Sequence, residues 1–166
     1  MPRTETIRTT TPADADALRR FRCSTGLWYE DDVDRYVHGS IASRVENGFE
    51  AWIVESAGEV LAIASHEAQP HPADPATTIT FLNVIACRAD DRESGLVGAA
   101  RVSRLLRPLF AEIFAAGRSP YCYTRIARDN ITMRRFCEQH GFVGGPVPSD
   151  PRYMFYTTKL AGPAVT

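Results

Sequence analysis

The sequence lacks any apolar run of the ~18 residues that a membrane-spanning helix needs. Residues 1–7 also lack the apolar segment of a secretory signal. We therefore expect a cytoplasmic protein with no membrane partner. A large excess of charge of one sign is missing too, because 19 basic and 20 acidic side chains give a net charge of −1. This balance removes the simplest case for a nucleic-acid partner, and we expect none.

The cysteines lack the spacing of a metal site or a redox pair. They are separated by 64, 35 and 15 residues, with no CxxC pair, and stand at Cys23, Cys87, Cys122 and Cys137. We expect reduced, mostly buried thiols and no bound metal.

Length and composition favour one globular domain over residues 1–166. Hydrophobic residues make up 44% of the chain and charged residues 23%, close to the average of folded proteins. The charge is uneven, since residues 1–82 carry 13 acidic and 7 basic side chains and residues 83–145 carry 6 acidic and 10 basic ones. One segment therefore favours a cationic group and the other an anionic group. The alternative is a chance scatter of surface charge.

Hydrophobic periodicity predicts a long helix near residues 95–116. Apolar residues recur there at helical spacing, with Pro108 inside the segment and Gly117 as its stop. Their expected buried face consists of Val102, Leu105, Leu106, Leu109, Phe110, Ile113 and Phe114. The other predicted helices cover Ala13–Arg22 after a Thr11-Pro12 cap, residues 30–46, and a short segment from an Asp129 or Asn130 cap to Gly141.

Runs rich in β-branched and aromatic residues predict six strands. They are Glu5–Thr10, Ala51–Glu55, Val60–His66, Thr78–Cys87, Tyr121–Ile126 and Tyr153–Lys159. Ala57-Gly58 predicts a hairpin turn, and the three prolines of Gln69–Ala76 predict a loop. The order of elements indicates an α/β (α+β) fold with a mixed sheet covered by helices.

The segment Leu82–Gly98 has the pattern of an anion site. A strand that ends near Cys87 is followed by Gly95, Gly98 and the long helix. Free backbone N–H groups and the positive end of the helix dipole then point at one place, and glycine lets a ligand approach the backbone. A turn that binds nothing is the alternative.

Two motifs in the second half of the chain carry a family resemblance. The first is Arg92-x-x-Gly95-x-Val97, and the second contains Asn130, Met133 and Gly141-Phe142 in register. They resemble the R/Q-x-x-G-x-G/A loop and the N-x-x-A/S/M-x-x-x-Y-x-x-x-G-F segment of the GCN5-related N-acetyltransferase (GNAT) family. The resemblance implies the GNAT fold, with a mixed sheet of six to seven strands, about four helices, and a V-shaped opening between strands 4 and 5.

The same resemblance implies acetyl-CoA as co-substrate, held between strands near residues 79–87 and 121–126. Its acyl and pantetheine end would contact the backbone of Ile85, Ala86 and Cys87. Its pyrophosphate would be held by the backbone N–H groups of Arg92, Glu93, Ser94, Gly95, Leu96, Val97 and Gly98. Asn130 would contact the pantetheine arm or an ordered water.

Three residues depart from the family pattern. Val97 stands where the family prefers Gly or Ala, and Asn83 stands where many members have a glutamate base. Cys137 replaces the tyrosine that protonates the leaving thiolate, so it is either a proton donor or a packing residue. His66 and Glu67, near the end of the third predicted strand, are either the base or surface groups.

Two charged segments also have two interpretations each. Trp28 and Tyr29 precede an acidic run that either walls a pocket for a cationic amine or forms a solvated first turn. The members of that run are Glu30, Asp31, Asp32 and Asp34. Arg134 and Arg135 either reach the adenosine phosphates of CoA or are solvated helix charges.

We therefore expect a single N-acetyltransferase domain that transfers an acetyl group from acetyl-CoA to a primary amine of a small molecule or peptide. The attack would be direct, and the catalytic candidates are Cys137, Asn83, His66 and Glu67. One alternative is a non-catalytic acyl-CoA-binding module of the same fold. Another is a GNAT toxin that acts on aminoacyl-tRNA, and a homodimer is left open.

Overall fold

The computed structural model describes residues 4–71, 74–89, 95–116 and 121–159. Seven strands form one mixed sheet in the order β1-β2-β3-β4-β5-β7-β6. Their bounds are β1 Thr6–Thr9, β2 Trp52–Ser56, β3 Glu59–His71, β4 Asp74–Cys87, β5 Tyr121–Ala127, β6 Val143–Pro146 and β7 Tyr153–Lys159.

The described residues contain four helical segments. The first is α1 (Ala15–Arg20), which follows a 3-10 turn over Pro12–Asp14. The second runs from α2 (Trp28–Tyr36) through a π-helical stretch (Val37–Ile41) into α3 (Ala42–Glu46). The others are α4 (Gly95–Ala116) and α5 (Ile131–Gln139). None of the described helices is long and apolar enough to cross a membrane.

The mixed sheet and the four helical segments confirm the predicted fold class. The long helix lies at the predicted residues, and its side chains Leu105, Leu106, Leu109, Phe110 and Ile113 are buried as expected. Gly117 and the side chains of Val102 and Phe114 lie outside the described residues. All four cysteines lie in the described residues and are buried thiols outside any disulfide.

The predicted loop over Gln69–Ala76 is wrong for the part of it that the structure describes. β3 continues to His71 and β4 begins at Asp74. Along the end of β3, burial alternates, with Gln69 half-buried and Ala68 and Pro70 exposed. Alternation with a period of two is typical of a strand, and this segment forms a strand despite its prolines. β6 was missed because its Gly-Gly-Pro sequence has a low strand preference and is defined by pairing with β7.

The chain divides into two compact units, of which the first comprises Met1–Ser65 and Val84–Ile113. Its core packs buried residues of α1 and the second helical segment against β2, β3 and β4, including Leu18, Ile41, Ile53, Ile63 and Val84. The predicted hairpin joins β2 and β3, with φ of 52° at Ala57 and 77° at Gly58. Two positive φ values are typical of the type I′ turn that suits strand twist.

The second unit comprises His66–Asn83 and Phe114–Thr166. β4 pairs in parallel with β5 at Thr80–Cys122, Phe81–Tyr123 and Leu82–Thr124. β5 pairs antiparallel with β7 over seven residue pairs, and β7 pairs with β6 over four. Helix α5 packs on the sheet face that carries Cys122, since the Cys122 and Cys137 thiols interact. That the whole chain forms a single domain stays a prediction.

Candidate functional site

The first turn of α4 offers backbone hydrogen-bond donors in the first unit. The helix begins at Gly95 and continues for 22 residues, so Gly95, Leu96, Val97 and Gly98 form its first turn. The first four N–H groups of a helix have no acceptor within the helix, and its positive dipole end lies there. These are four of the seven donors that the family motif assigns to pyrophosphate. Arg92, Glu93 and Ser94, and the side chains of residues 95–98, lie outside the described residues.

The backbone at the end of β4 and just after it is held by burial and hydrogen bonds. Ala86 and Cys87 are buried, and Ile85 is half-buried. The next backbone N–H groups have partners in the same unit, since Arg88 N donates to Leu61 O at 2.8 Å and Ala89 N to Arg22 O at 2.8 Å. The predicted contacts of Ile85, Ala86 and Cys87 with the acyl end stay predictions.

Asn130 has a structural task at the start of α5. Its side-chain oxygen accepts a hydrogen bond from Met133 N at 3.1 Å, which caps the helix. The sequence leaves Asp129 and Asn130 open as the cap, and the structure selects Asn130. A contact of Asn130 with pantetheine stays a prediction, and it would have to use the part of the amide that does not cap.

Cys137 is enclosed by protein. Its side chain has no exposed surface, and burial raises the pKa of its thiol to about 12. Burial likewise raises the pKa of Cys122, with a further contribution from Cys137. A thiol with so high a pKa is a weak proton donor at pH 7. The surroundings of Cys137 therefore favour packing over proton transfer.

Arg134, also on α5, is engaged within the protein. Its Nε donates to the Tyr156 hydroxyl at 2.9 Å and its Nη1 to Arg128 O at 2.8 Å. The Tyr156 hydroxyl in turn donates to Glu138 Oε1 at 3.2 Å, and the Tyr156 side chain is fully buried. Arg134 therefore orders α5 against β7 and is not one of two freely solvated helix charges.

The candidate bases lie on strands but not on one face. His66 and Glu67 are consecutive in β3, so their side chains point to opposite faces of the sheet. Both are half-buried, and burial lowers the pKa of His66. Asn83, on β4, is half-buried, and its amide cannot accept a proton as a carboxylate does.

Sequence reasoning missed a hydrogen-bond chain that begins at Glu67. Gln69 Nε2 donates to Glu67 Oε1 at 2.9 Å, and the Tyr123 hydroxyl donates to Gln69 Oε1 at 2.8 Å. The sequence pattern assigns Gln69 to a loop and Tyr123 to an ordinary strand position. The period-two placement of Tyr121 and Tyr123 was a signal that they share a face, but only strand register brings Tyr123 to Gln69.

Two phenylalanine rings flank Tyr123 in the same unit. The Phe81 ring centroid lies 4.7 Å from that of Tyr123, and the Phe155 centroid lies 6.0 Å from it. All three side chains are half-buried and come from the adjacent strands β4, β5 and β7. We call Phe81, Tyr123 and Phe155 the aromatic platform.

Two members of the acidic run of α2 are bound to the loop before the helix rather than solvated. Asp34 and Glu30 are buried, with 7% and 5% of their surface exposed. Asp34 accepts hydrogen bonds from Cys23 N at 2.8 Å and Ser24 N at 3.2 Å. Glu30 Oε1 accepts from Thr25 N at 3.1 Å and from its hydroxyl at 2.7 Å. The two carboxylates hold the loop before α2.

Neither a protein-family model nor a curated protein sequence matches the chain. Solved structures match over nearly its whole length. A GNAT-family acetyltransferase from Bacillus cereus ATCC 10987 is 15% identical with a TM-score of 0.63, over 96% of this chain and 99% of that chain. An N-acetyltransferase from Staphylococcus aureus Mu50 is 19% identical with a TM-score of 0.61, over 95% and 99%.

A mutant of the toxin AtaT, solved with the C-terminus of the antitoxin AtaR, has the same architecture. It is 19% identical with a TM-score of 0.56, over 93% of this chain and 92% of that chain. The chain therefore has the GNAT fold, which confirms the fold that the two motifs predicted.

In the described residues, no group of His, Cys, Asp and Glu side chains has the arrangement of a metal site.

Proposed function

We propose that the protein is an N-acetyltransferase that uses acetyl-CoA to acetylate a primary amine. The observation that carries this proposal is the start of α4 at Gly95 within the GNAT fold. Its first-turn donors are backbone groups that the Arg92-x-x-Gly95-x-Val97 motif assigns to pyrophosphate. Backbone N–H groups at a helix N-terminus are suited to a pyrophosphate, so the donor set fits acetyl-CoA.

Acetyl-CoA would supply a thioester, whose acetyl group passes to nitrogen as the C–S bond breaks and CoA leaves as a thiolate. Gly95, Leu96, Val97 and Gly98 would hold its pyrophosphate, together with Arg92, Glu93 and Ser94. The backbone near Ile85, Ala86 and Cys87 would hold the acyl end and polarise the carbonyl, as an oxyanion hole does. Asn130 would contact the pantetheine arm.

The acceptor amine must lose a proton before its lone pair can attack. For an amine of pKa ~10.4, the neutral form is roughly 4.6 kcal/mol uphill at pH 7, and for one of pKa ~8 it is about 1 kcal/mol uphill. Asn83 provides no base for this step. We assign the proton to the Glu67 carboxylate, reached through a bridging water. Glu67 lies on the face of β3 that carries Gln69, the partner of the Tyr123 hydroxyl, whereas His66 points to the opposite face.

The leaving thiolate has no need of Cys137. A thiol of pKa ~8.5 leaves tolerably as thiolate at neutral pH, and general-acid help is worth ~10²–10⁴-fold. Since burial raises the pKa of Cys137 to about 12, we assign Cys137 to packing.

Binding and turnover test this function separately. Acetyl-CoA at a hundredfold excess over Kd should stabilise the fold by about 2.7 kcal/mol, which a thermal shift detects. Gly95→Val should weaken acetyl-CoA binding at least tenfold, because a branched side chain crowds the first turn. The matched control is Gly39→Val, since a side chain at Gly39 would meet no atom within 4 Å.

Release of CoA thiol with a panel of amines then measures turnover. No thermal shift at millimolar acetyl-CoA would refute the proposal, and equal affinities of the two valine variants would show that the first turn of α4 does not hold the pyrophosphate. Binding without turnover of any amine would favour the non-catalytic module. Acetylation of aminoacyl-tRNA in preference to free amines would favour a toxin.

A further inference from the structure

The aromatic platform has the chemistry of a site for cations. Phe81 and Tyr123 are register partners on parallel strands, and their rings are tilted by 30°. Phe155 approaches Tyr123 edge-on, at 69°. The faces of aromatic rings attract an ammonium group within ~6 Å of the ring centroid, and more strongly where water is partly excluded. The three half-buried rings meet that condition.

The hydrogen-bond chain fixes the direction in which the Tyr123 hydroxyl donates its proton. Because Gln69 Nε2 donates to Glu67, the amide oxygen of Gln69 is the atom that faces Tyr123. The hydroxyl proton of Tyr123 is then committed to Gln69. The lone pairs of the phenol oxygen are left to accept a hydrogen bond, so this oxygen is suited to an N–H donor.

The negative charge of Glu67 acts on the pKa of the Tyr123 hydroxyl. Burial raises the pKa of Tyr123, and the charge of Glu67 raises it further. The field that disfavours a second negative charge at the phenol oxygen favours a positive charge beside it. The phenol oxygen of Tyr123 is therefore a suitable acceptor for an ammonium group.

We propose that the aromatic platform, with Gln69 and Glu67, is the acceptor site, and that it selects primary amines carried on an aromatic group. The ammonium nitrogen donates to the Tyr123 oxygen, and the aromatic part of the substrate packs against Phe81 and Phe155. Tyr123 contacts the substrate, whereas Gln69 is a positioning residue that acts through Tyr123. This inference rests on the proposed N-acetyltransferase function, whose acceptor it specifies.

Cross-strand aromatic pairs also stabilise sheets, and that role alone predicts a different result. If the rings only hold β4, β5 and β7 together, their replacement lowers stability and reduces the turnover of all amines by the same factor. If they bind the acceptor, their replacement changes the ratio between amines. The test is therefore a ratio, which a general loss of folded protein does not move.

The experiment compares 2-phenylethylamine with n-butylamine as acceptors. We expect the kcat/KM of the wild type to favour 2-phenylethylamine at least tenfold. Phe81→Leu keeps apolar volume but removes the ring, so it should reduce that preference to threefold or less. Tyr123→Phe should raise the KM for both amines about tenfold, with the KM for acetyl-CoA unchanged. Gln69→Leu should act in the same direction, severalfold.

Tyr121→Phe is the matched control, because it removes a hydroxyl from the same strand two residues away. It should leave the kinetics with both amines unchanged. Three results would overturn the inference while the proposed function stands. They are equal turnover of the two amines by the wild type, a preference unaltered in Phe81→Leu, and an amine KM unaltered in Tyr123→Phe.

Failure of the proposed function itself is recognised by acetyl-CoA binding without turnover of any amine. Saturation-transfer NMR with 2-phenylethylamine then still decides the acceptor site. Binding by the wild type that is lost in Tyr123→Phe supports it, and absence of binding by the wild type overturns it.

Discussion

The two units contain hydrogen-bond networks of similar size that end differently. In the first unit, the carboxylates of Glu30 and Asp34 accept hydrogen bonds from the backbone N–H groups of Cys23, Ser24 and Thr25. In the second, the chain from Glu67 runs through side chains only and ends on the half-buried phenol of Tyr123. The first network holds the loop before α2, whereas the second ends on the group that we propose as the acceptor's hydrogen-bond partner.

The largest effect that this comparison predicts is at Asp34. Asp34→Ala removes the acceptor of the buried Cys23 N–H and of the half-buried Ser24 N–H. A buried group that loses its partner costs ~1–3 kcal/mol. We expect the free energy of unfolding to fall by about 3 kcal/mol, as measured by urea denaturation. Asp32→Ala on the same helix removes an exposed ion pair with Arg35 and should cost about 0.5 kcal/mol or less.

The contrast between the two networks is contradicted if Asp34→Ala lowers the free energy of unfolding no more than Asp32→Ala does. It also fails if Asp34→Ala, once folded, changes the preference between amines. Mutations in the first network should change stability alone, and those in the second should change the KM for amines.

A second, acid-sensitive network in the first unit gives the next largest effect. Arg8 pairs with Asp14 and with Glu55, each at 2.8 Å, and its hydrogen bond lowers the pKa of Asp14 to about 2. A carboxyl whose pKa is lower in the folded state stabilises the fold above its unfolded pKa of ~3.8. This stability is lost as the pH falls from about 4 toward 2.

We therefore expect Asp14→Asn to reduce the free energy of unfolding by about 1–2 kcal/mol at pH 7 and to flatten its decline between about pH 4 and 2. Denaturant titrations at a series of pH values measure both. Asp16→Asn is the control, because that side chain is 79% exposed. A decline of the same steepness in Asp14→Asn and the wild type would contradict the assignment.

Sequence alone predicted the fold well where the signal was local and repeated. Helix α4 was placed at its observed residues because several apolar side chains follow the same period, and the turn at Ala57-Gly58 because its dipeptide favours it. β6 was missed because its pairing with β7, rather than its own residues, makes it a strand. The prolines near the ends of β3 and β4 suggested a loop, although the alternation of burial in β3 continues past Pro70 to His71.

The residues of the candidate site also divide into those that local sequence predicts and those that it does not. The glycines of the α4 turn and the N-cap at Asn130 are local patterns, and both could be read from spacing. The hydrogen-bond chain to Tyr123 and its flanking rings depend on which residues of several strands share a face and a level. A shift of one residue in any of these strands would turn its side chains to the other face. No spacing in the sequence contains that information.

Cys137 provides a smaller effect that contrasts a buried thiol with the half-buried phenol of Tyr123. Cys137→Ala should leave kcat within about twofold and lower the free energy of unfolding by ~1 kcal/mol, since it opens a small cavity. A tenfold loss of kcat with an unchanged KM for acetyl-CoA would instead mark a transition-state role and contradict the packing assignment. Tyr123→Phe, assayed beside it, should show the opposite pattern, with kinetics altered and stability nearly kept.

The smallest effect is at Ala57, whose positive φ of 52° is unfavourable for a residue with a side chain. Left-handed backbone costs such a residue ~1–2 kcal/mol, and glycine avoids that cost but loses roughly 0.5–1 kcal/mol through its freer unfolded chain. Ala57→Gly should therefore raise the free energy of unfolding by about 0.5 kcal/mol. Gly58→Ala, at φ 77°, is the reverse control and should lower it by about 1 kcal/mol. Both variants should keep the wild-type preference between amines, because the turn lies in the first unit and affects stability alone. If Ala57→Gly makes the protein less stable than the wild type, the left-handed backbone at this turn carries no strain.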